Sequence, residues 1–210
     1  TIEVADITAS VDPWSCDADV LLPHPEHLND DCDDDLTYWI GYVEGNLTVT
    51  GNAVDGFVLH DAVEGESITV EYISQDCCGN QGKTTMEVII VDKTPPIAVT
   101  KELIVLSLTN TGSLEEDQGI AKLYADDVDN ASYDGCSDVT LEIRRAELHC
   151  LHLNTDTLFK DHVKFCCEDL DGQAFVEIDV QFRVTDESGN SNYAWSTIRL
   201  EDKSIPTVDC

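Results

Sequence analysis

The sequence predicts an all-β protein that consists of two successive β-sandwich domains. Short motifs of the first half return 110 residues later without insertion or deletion: Gly79-Asn80, Asp92-Lys93 and Pro96 recur as Gly189-Asn190, Asp202-Lys203 and Pro206. Apolar residues alternate with polar ones just before both Gly-Asn pairs, as Ile68, Val70 and Tyr72 and again as Ile178, Val180 and Phe182. Such alternation indicates strands with one buried face, so each repeat ends in two strands joined by a Gly-Asn turn.

Alternating residues and turn signals also locate the other strands. We predict strands near residues 36–43, 46–50, 56–60, 67–74 and 84–91 in the first half. In the second half we predict strands near 102–108, 120–125, 138–145, 163–166, 174–184 and 193–200. No segment has a 3.6-residue period over a dozen positions, so helices are expected only as short connectors. Many short strands at this spacing are typical of immunoglobulin-like sandwiches, and the sequence predicts two in tandem.

The predicted domains are residues 1–96 and 97–210, joined by a short proline-rich linker. The linker contains Pro95 and Pro96, and adjacent prolines favour an extended, stiff chain. We therefore expect the two domains to lie end to end. The equivalent segment at Pro206 is followed by only four residues. This arrangement predicts a further domain after Cys210, such as another copy of the pair.

The chain is strongly acidic, with 43 Asp and Glu against 11 Lys and Arg and a formal net charge of −32. Residues 1–98 contain two basic and 20 acidic residues, and residues 99–210 contain nine and 23. Such a charge repels phosphate backbones, so no nucleic-acid partner is expected. Divalent cations are the expected partners, because clustered carboxylates repel one another until a cation neutralises them. The alternative is a solvated acidic surface without bound ions.

Nine cysteines in a chain of 210 residues indicate an oxidising compartment, where disulfides stabilise small β-domains. The sequence has no secretory leader at its start and no apolar run long enough to span a bilayer. We expect an extracellular protein. Because the number of cysteines is odd, we expect at least one thiol to be free or bonded to another chain. The pairing stays open for all the candidates: Cys16, Cys32, Cys77, Cys78, Cys136, Cys150, Cys166, Cys167 and Cys210.

An acidic loop in the second half is the sharpest candidate metal site. Its oxygen-bearing side chains are Asp126, Asp127, Asp129, Asn130 and Asp134. Calcium takes about six to eight oxygen ligands, which closely spaced Asp, Asn and backbone carbonyls supply. The loop lacks the glycine and glutamate of a helix–loop–helix calcium hand, and a solvated turn is the alternative. A second candidate is the acidic run beside Cys32, with Asp33, Asp34 and Asp35.

Four aspartates, Asp76, Asp92, Asp186 and Asp202, stand at strand ends near the domain junctions. An ion could bind there, but an Asp beside Gly-Asn more often caps its own turn. Two groups of residues are alternative candidates for zinc binding. They are Cys16, His24, His27 and Cys32, and His149, Cys150 and His152. Neither set has the spacing of structural zinc sites, so the sequence favours disulfides.

Two glycosylation sequons begin at Asn46 and Asn130. Asn46 falls in a predicted turn, whereas modification of Asn130 competes with the acidic loop. Exposed aromatic residues could form a platform for sugars, and the candidates are Trp14, Tyr38, Trp39 and Trp195. Aromatic residues in strands are more often part of the core.

Several motifs of the chain resemble known repeats. The segment Asp76-Cys77-Cys78-Gly79-Asn80, followed by residues 88–96, is similar to the closing signature of hyalin-repeat-like, immunoglobulin-fold modules of bacterial surface proteins. Further similar segments are Val11-Asp12-Pro13-Trp14-Ser15-Cys16, residues 126–136, residues 141–145 and residues 165–169. The resemblance implies an extracellular, non-enzymatic repeat of a long adhesin or filament protein. Such modules usually carry a cysteine where this chain has Thr100, so the resemblance is incomplete.

The function expected from the sequence is a structural or adhesive unit of an extracellular bacterial fibre, stabilised by calcium and disulfides. Neighbouring copies of the chain are the expected partners. The alternative is a carbohydrate- or protein-binding module, for which surface glycans are the expected ligands. No catalytic activity is expected, because no nucleophile elbow, His-Glu-x-x-His motif or phosphate loop is present.

Overall fold

The computed structural model describes residues 1–30, 36–108, 120–146 and 157–203. The chain forms two compact units, Thr1–Thr94 and Pro95–Cys210. The division falls within two residues of the predicted boundary at 96. Eight candidate site residues lie outside the described residues: Cys32, Asp33, Asp34, Asp35, His149, Cys150, His152 and Cys210.

Among its described residues, 1–30 and 36–94, unit 1 has nine short strands and one 3₁₀ turn. The strands are β1 (Ile2–Glu3), β2 (Ile7–Ser10), β3 (Asp17–Leu22), β4 (His27–Leu28), β5 (Thr37–Val43), β6 (Val49–Asn52), β7 (Gly56–Val63), β8 (Ser67–Gln75) and β9 (Gln81–Val91). The largest sheet has the order β2-β9-β8-β5, a second has the order β3-β7-β6, and β1 pairs with β4 in a small two-stranded sheet. Strand β2 runs parallel to β9, and the other pairs are antiparallel.

The core of unit 1 follows from the alternation in its strands. Ile68, Val70 and Tyr72 of β8 are buried, as are Met86, Val88 and Ile90 of β9 and Val20, Leu22 and Leu59 of the second sheet. Tyr72 is fully buried, and its hydroxyl donates a hydrogen bond to the carbonyl oxygen of Pro23 at 2.9 Å. The polar atom of the largest core residue is therefore satisfied.

Unit 2 has six strands among the described residues. They are β10 (Leu103–Leu108), β11 (Ala121–Tyr124), β12 (Thr140–Arg145), β13 (His162–Phe165), β14 (Phe175–Thr185) and β15 (Ser191–Asp202). A short helix, α1 (Ala125–Val128), follows β11, and a 3₁₀ turn covers Cys167–Leu170. The main sheet has the order β10-β15-β14-β12, and β11 pairs with β13. Strand β10 runs parallel to β15.

A buried ion pair lies in the core of unit 2. The side chains of Arg145 and Asp169 are both fully buried, with Nη2 to Oδ1 at 2.6 Å and Nη1 to Oδ2 at 3.0 Å. Arg145 Nη1 also donates to the Lys164 carbonyl at 2.9 Å, and its guanidinium lies 4.8 Å from the Phe165 ring centre. Paired, hydrogen-bonded burial is the condition under which a protein core tolerates two charges.

The last two strands of both units have the same register. Ser67 pairs with Ile89 in unit 1, and Glu177 pairs with Arg199 in unit 2, each 110 residues further on. The register also agrees at the turn. Gln75 pairs with Gln81 in unit 1, and Thr185 pairs with Ser191 in unit 2. The predicted sequence repeat is therefore a repeated hairpin. In both units it forms the centre of a four-stranded sheet with a parallel edge strand.

Most predicted strands are confirmed to within a few residues, including β5, β7, β8 and all six described strands of unit 2. The strand predicted at 46–50 is shifted, since Glu44–Asn46 forms a 3₁₀ turn and β6 begins at Val49. Strands β2 and β3 were not predicted. The buried residues Ala18, Val20 and Leu22 do alternate in β3, but Asp17 and Asp19 gave this stretch the composition of an acidic loop.

Candidate functional site

The two Gly-Asn turns are capped by aspartate side chains in the same way. Asp76 Oδ1 accepts from the backbone N of Asn80 at 2.8 Å, and Asp76 Oδ2 accepts from Asn80 Nδ2 at 2.8 Å. Asp186 accepts the corresponding bonds from Asn190 at 2.8 and 2.9 Å. The predicted capping role of these aspartates is confirmed. The Asn80 side chain, together with backbone donors, lowers the pKa of the Asp76 carboxyl below its usual value.

In unit 2 the capping aspartate has a second carboxylate beside it. Carboxylate oxygens of Asp186 and Asp134 lie within 4.8 Å of each other. Asp186 is buried and Asp134 is half-buried. Asp134 Oδ2 accepts backbone hydrogen bonds from Cys136 at 2.7 Å and from Ser137 at 3.2 Å. Two carboxylates so close and so little hydrated repel each other, and a cation between them would relieve the repulsion.

The other candidates of the acidic loop cap local structure. Asp126 and Asp127 lie in α1, and Asp127 Oδ2 accepts from the backbone N of Tyr124 at 3.3 Å. Asp129 accepts from the backbone N of Ala131 at 3.1 Å and of Ser132 at 2.9 Å. The backbone of Asn130 donates to the Val99 carbonyl. In the described part of the chain, the carboxylates of Asp126, Asp127 and Asp129 do not converge on one point.

The structure thus brings Asp134 to Asp186 and does not gather the loop residues around a common centre. The sequence predicted Asp186 as a turn cap, with ion binding as the less favoured alternative, but it did not pair Asp186 with Asp134, which lies 52 residues earlier. The sequence feature that could have suggested that Asp134 and Asp186 lie close together is the position of Asp186 at a strand end. Calcium binding by Asp126, Asp127, Asp129 and Asn130 stays a prediction.

Three of the described cysteines, Cys16, Cys136 and Cys166, are disulfide-bonded. Cys77, Cys78 and Cys167 are exposed. The sulfur atoms of Cys77 and Cys78 lie 3.6 Å apart, whereas an S–S bond is about 2.05 Å long. These neighbours are therefore not bonded to each other. In the zinc set around Cys16, His24 Nδ1 contacts the Tyr38 hydroxyl, and His27 lies on β4.

The predicted aromatic platform divides between exposed and inner residues. Trp14 and Trp195 are exposed, whereas Tyr38 and Trp39 are half-buried. The Tyr38 ring stacks on Tyr72 with 6.3 Å between centroids, so Tyr38 belongs to the edge of the unit 1 core. Of the sequon residues, Asn46 ends the 3₁₀ turn Glu44–Asn46, and Asn130 follows α1 in an exposed position.

The outward face of the main sheet in unit 2 carries an unusual group of side chains. We call the outward residues of β10, β12, β14 and β15 the aromatic face. Its exposed apolar members are Leu103, Val105, Phe175, Tyr193 and Trp195, each 46–54% exposed. Three of the four arginines of the chain, Arg144, Arg183 and Arg199, lie on the same face. Aromatic residues and arginine are the side chains that dominate binding energy at protein interfaces.

The arginines of the aromatic face lie against aromatic rings, one of the face itself (Phe175) and one of the loop before β13 (Phe159). The Arg144 and Arg183 guanidinium groups lie 4.5 and 4.3 Å from the Phe159 ring centre. Arg199 lies 4.0 Å from the Phe175 ring centre. Beside Trp195 a groove of about 440 Å³ is lined by the acidic residues Asp169, Asp171, Glu177 and Asp179, together with Gln173 and Ala146.

No family model and no curated protein matches the sequence. Solved structures resemble the chain at low identity. The protocadherin gammaB4 extracellular domain is 13% identical, with a TM-score of 0.47, and the match covers 97% of this chain and 34% of that one. Drosophila N-cadherin EC1-4 is 12% identical (TM-score 0.44; 96% and 48% covered), and domains 3–5 of Drosophila OTK are 10% identical (TM-score 0.44; 97% and 62% covered).

The chain thus spans between about a third and about six-tenths of the length of these three structures. Within the residues that the structure describes, no helix is long and apolar enough to cross a membrane.

Proposed function

We propose that the chain is a structural and adhesive segment of an extracellular surface fibre or adhesin, assembled from tandem β-sandwich units and without catalytic activity. The repeated hairpin carries this proposal, because the same register and the same capped turn return in both units. Tandem repetition of one small fold is typical of proteins selected for length and presentation. The hyalin-repeat-like motifs point to a bacterial surface protein of this kind.

Disulfides and acidity support an extracellular setting. Cys16, Cys136 and Cys166 are disulfide-bonded, and disulfides persist outside the reducing cytosol. A net charge of −32 keeps such a chain soluble but opposes its compaction, unless cations are bound. Both features suit a protein that works in a calcium-containing medium.

Calcium is the cation we propose, with Asp134 and Asp186 of unit 2 as its carboxylate ligands. Their oxygens lie within 4.8 Å, and hard oxygen donors are what Ca²⁺ prefers. Two carboxylates supply only part of its coordination, so backbone carbonyls and water complete it. Sites of this kind in extracellular modules bind calcium weakly, with Kd on the order of 10⁻⁴–10⁻³ M.

Thermal unfolding with and without calcium tests this proposal. We expect calcium at a few millimolar, about ten times such a Kd, to raise the Tm of the full chain, and EDTA to reverse the rise. The variant D134N/D186N should lose the calcium response. The matched control is D76N, which removes the charge of the corresponding turn-capping residue in unit 1 and should keep the calcium response. A calcium response unchanged in D134N/D186N would refute these two ligands.

The assembly is tested on native material by negative-stain electron microscopy. The proposal expects long beaded fibres that EDTA loosens. Isolated globular particles whose appearance does not change with EDTA would refute the structural role.

The second candidate function is a carbohydrate-binding module, and Trp195 is the observation that favours it. This indole is 54% exposed beside a groove lined with carboxylates and Gln173, and sugars bind to such combinations of a flat ring and hydrogen-bonding groups. A glycan array probed with the full chain and with W195T tests it. Binding to defined glycans that is lost in W195T would favour this function over a purely structural one.

A further inference from the structure

We propose that the aromatic face of unit 2 binds the aromatic face of a second copy of the chain, about a two-fold axis. The proposal deepens the proposed function, because it assigns the surface through which neighbouring units associate side by side.

The fold itself does not require the aromatic residues of this face. The hairpin of unit 1 has the same register, and the positions equivalent to Phe175, Tyr193 and Trp195 hold Gly65, Lys83 and Thr85. Since small and charged residues suffice for the same backbone there, core packing does not explain the exposed rings of unit 2. Clustered exposed apolar side chains are typical of interaction sites.

The aromatic face is nearly neutral, so another acidic molecule can approach it with little electrostatic repulsion. Its charged residues are Arg144, Arg183 and Arg199 with Glu142, Glu177, Asp179 and Glu201. Three basic and four acidic groups nearly balance, whereas the whole chain has 11 against 43. Two copies with a charge of −32 each repel one another, and repulsion is least where the approaching faces are nearly neutral.

The strand register divides the face into rows. The Asp179–Thr197 row lies in the middle, and the Gln181–Trp195 row and the Glu177–Arg199 row lie on its two sides. A two-fold axis running across the strands, through the middle row, exchanges the two flanking rows between copies. Each residue of one row then meets the residue on the same strand in the other row.

This exchange joins complementary groups. On β15, Trp195 meets Arg199 of the second copy, which is a cation–π pair. On β14, Phe175 meets Arg183 of the second copy by the same rule. Leu103 pairs with Thr197 in the middle row and therefore meets the Leu103 of the second copy.

Arg144 provides the most specific of these contacts. On its own chain Arg144 Nε donates to Gln181 Oε1 at 2.7 Å, and the described contacts of its guanidinium include no carboxylate. Strand β12 ends at Arg145, and the acidic groove lies beyond this end, at the level of Glu177 and Asp179. The exchange of rows therefore brings Arg144 of the second copy to Glu177 and Asp179, which are exposed carboxylates of this groove.

The face is small for a permanent dimer. Eleven residues of β14 span roughly 35 Å, and four strands span about 14 Å, which gives a footprint of about 500 Å². Stable interfaces bury about 800 Å² of accessible surface per partner, so we expect weak association of isolated chains. Repetition of the face along a fibre would strengthen it through multivalency.

Sedimentation velocity of the full chain tests the proposal, at concentrations up to about 500 µM because the expected contact is weak. We expect a monomer–dimer equilibrium that tightens when salt rises from about 0.05 to 0.5 M, since salt screens the repulsion between copies. W195T introduces the residue of unit 1 and should weaken dimerisation at least tenfold. The control is Y42T, which removes an equally exposed aromatic of unit 1 and should leave dimerisation unchanged.

A charge exchange tests the orientation. R144E and E177R should each dimerise at least tenfold more weakly than the wild type, and their equimolar mixture should form heterodimers. Near-UV circular dichroism verifies that all variants fold. A wild type that is monomeric at every salt concentration, or a W195T variant that dimerises like the wild type, would overturn the proposal. Neither result affects the calcium response, which is measured on dilute monomer.

Discussion

Units 1 and 2 share one hairpin but use it differently. Their last two strands pair residue for residue at an offset of 110, yet the inner and outer faces diverge. The core of unit 1 has Tyr72 where unit 2 has Phe182, and unit 2 contains the Arg145–Asp169 pair. On the outside, Thr85 and Lys83 of unit 1 correspond to Trp195 and Tyr193 of unit 2. A repeated backbone thus accommodates two cores and two surfaces.

The comparison separates what the hairpin requires from what it tolerates. Most of its inward positions hold apolar residues, with buried Ser74 and Ser196 as exceptions, and an aspartate caps the turn in both units. The hairpin tolerates large changes at outward positions, where side chains do not pack. Differences at those positions are therefore the ones to test for function.

The largest expected effect concerns the polar core of unit 2. Asp169→Ala leaves the fully buried Arg145 guanidinium without its carboxylate, which should destabilise unit 2 by about 3–5 kcal/mol. Chemical denaturation measures the loss, and hydrogen exchange locates it to residues 95–203. The control is Glu142→Gln, which breaks the more exposed ion pair with Arg183 and should cost at most about 1 kcal/mol. Equal effects of both changes would mean that burial does not set the strength of the pair.

The next effect concerns the capped turn of unit 2. Asp186→Ala removes two hydrogen bonds to Asn190 at a buried position and should destabilise unit 2 by about 1–3 kcal/mol. Asp76→Ala removes the same bonds from an exposed turn in unit 1 and should have the smaller effect. Urea unfolding of both variants gives the difference, with EDTA present to exclude metal and in a D134N background, so that relief of the repulsion between Asp134 and Asp186 does not offset the lost hydrogen bonds. A larger loss from Asp76→Ala would contradict the role of burial in this comparison.

At one equivalent core position the two hairpins differ only by a hydroxyl, Tyr72 in unit 1 and Phe182 in unit 2, and a smaller effect follows. Tyr72→Phe removes the hydrogen bond to the Pro23 carbonyl and leaves that carbonyl without this donor, so unit 1 should lose about 1 kcal/mol. Burial also raises the pKa of Tyr72, so its hydroxyl stays protonated as a donor into the alkaline range. Thermal unfolding measures the change. A Tm equal to that of the wild type would show that the hydroxyl does not stabilise unit 1.

The smallest expected effects are in the pH dependence. The Asn80 side chain and backbone donors lower the pKa of Asp76, whereas Lys203 and Arg199 lower the pKa of Glu201. Both carboxylates therefore stabilise the fold above their unfolded pKa values, and that contribution disappears as the pH falls through the folded values. NMR titration should show that about 1 M salt raises the pKa of Glu201 but not that of Asp76, because only ion pairs are screened. If salt shifted the pKa values of Glu201 and Asp76 equally, the distinction between ion-paired and hydrogen-bonded carboxylates would be wrong.

Much of the fold could be read from the sequence, because alternation and turn chemistry are local. Residues 67–91 and 175–202 predicted their strands, and Asp76 and Asp186 predicted their own caps. Strand β3 was not predicted, because prediction from local composition was misled there. Asp17 and Asp19 lie between the apolar residues Ala18, Val20 and Leu22 and made the segment resemble a loop. Local composition suggests a loop when acidic residues occupy outward positions, as Asp17 and Asp19 do, even where the inward positions form a core.

The sequence by itself determined the β class, the repeated hairpin and the excess of negative charge. These properties depend on spacing and composition, which folding does not alter. Only the tertiary structure placed Asp134 beside Asp186, paired Arg145 with Asp169, and gathered Trp195, Phe175 and three arginines on one face. Those groupings join residues from separate strands, and strand pairing across the sheet, not distance along the chain, decides which of them meet.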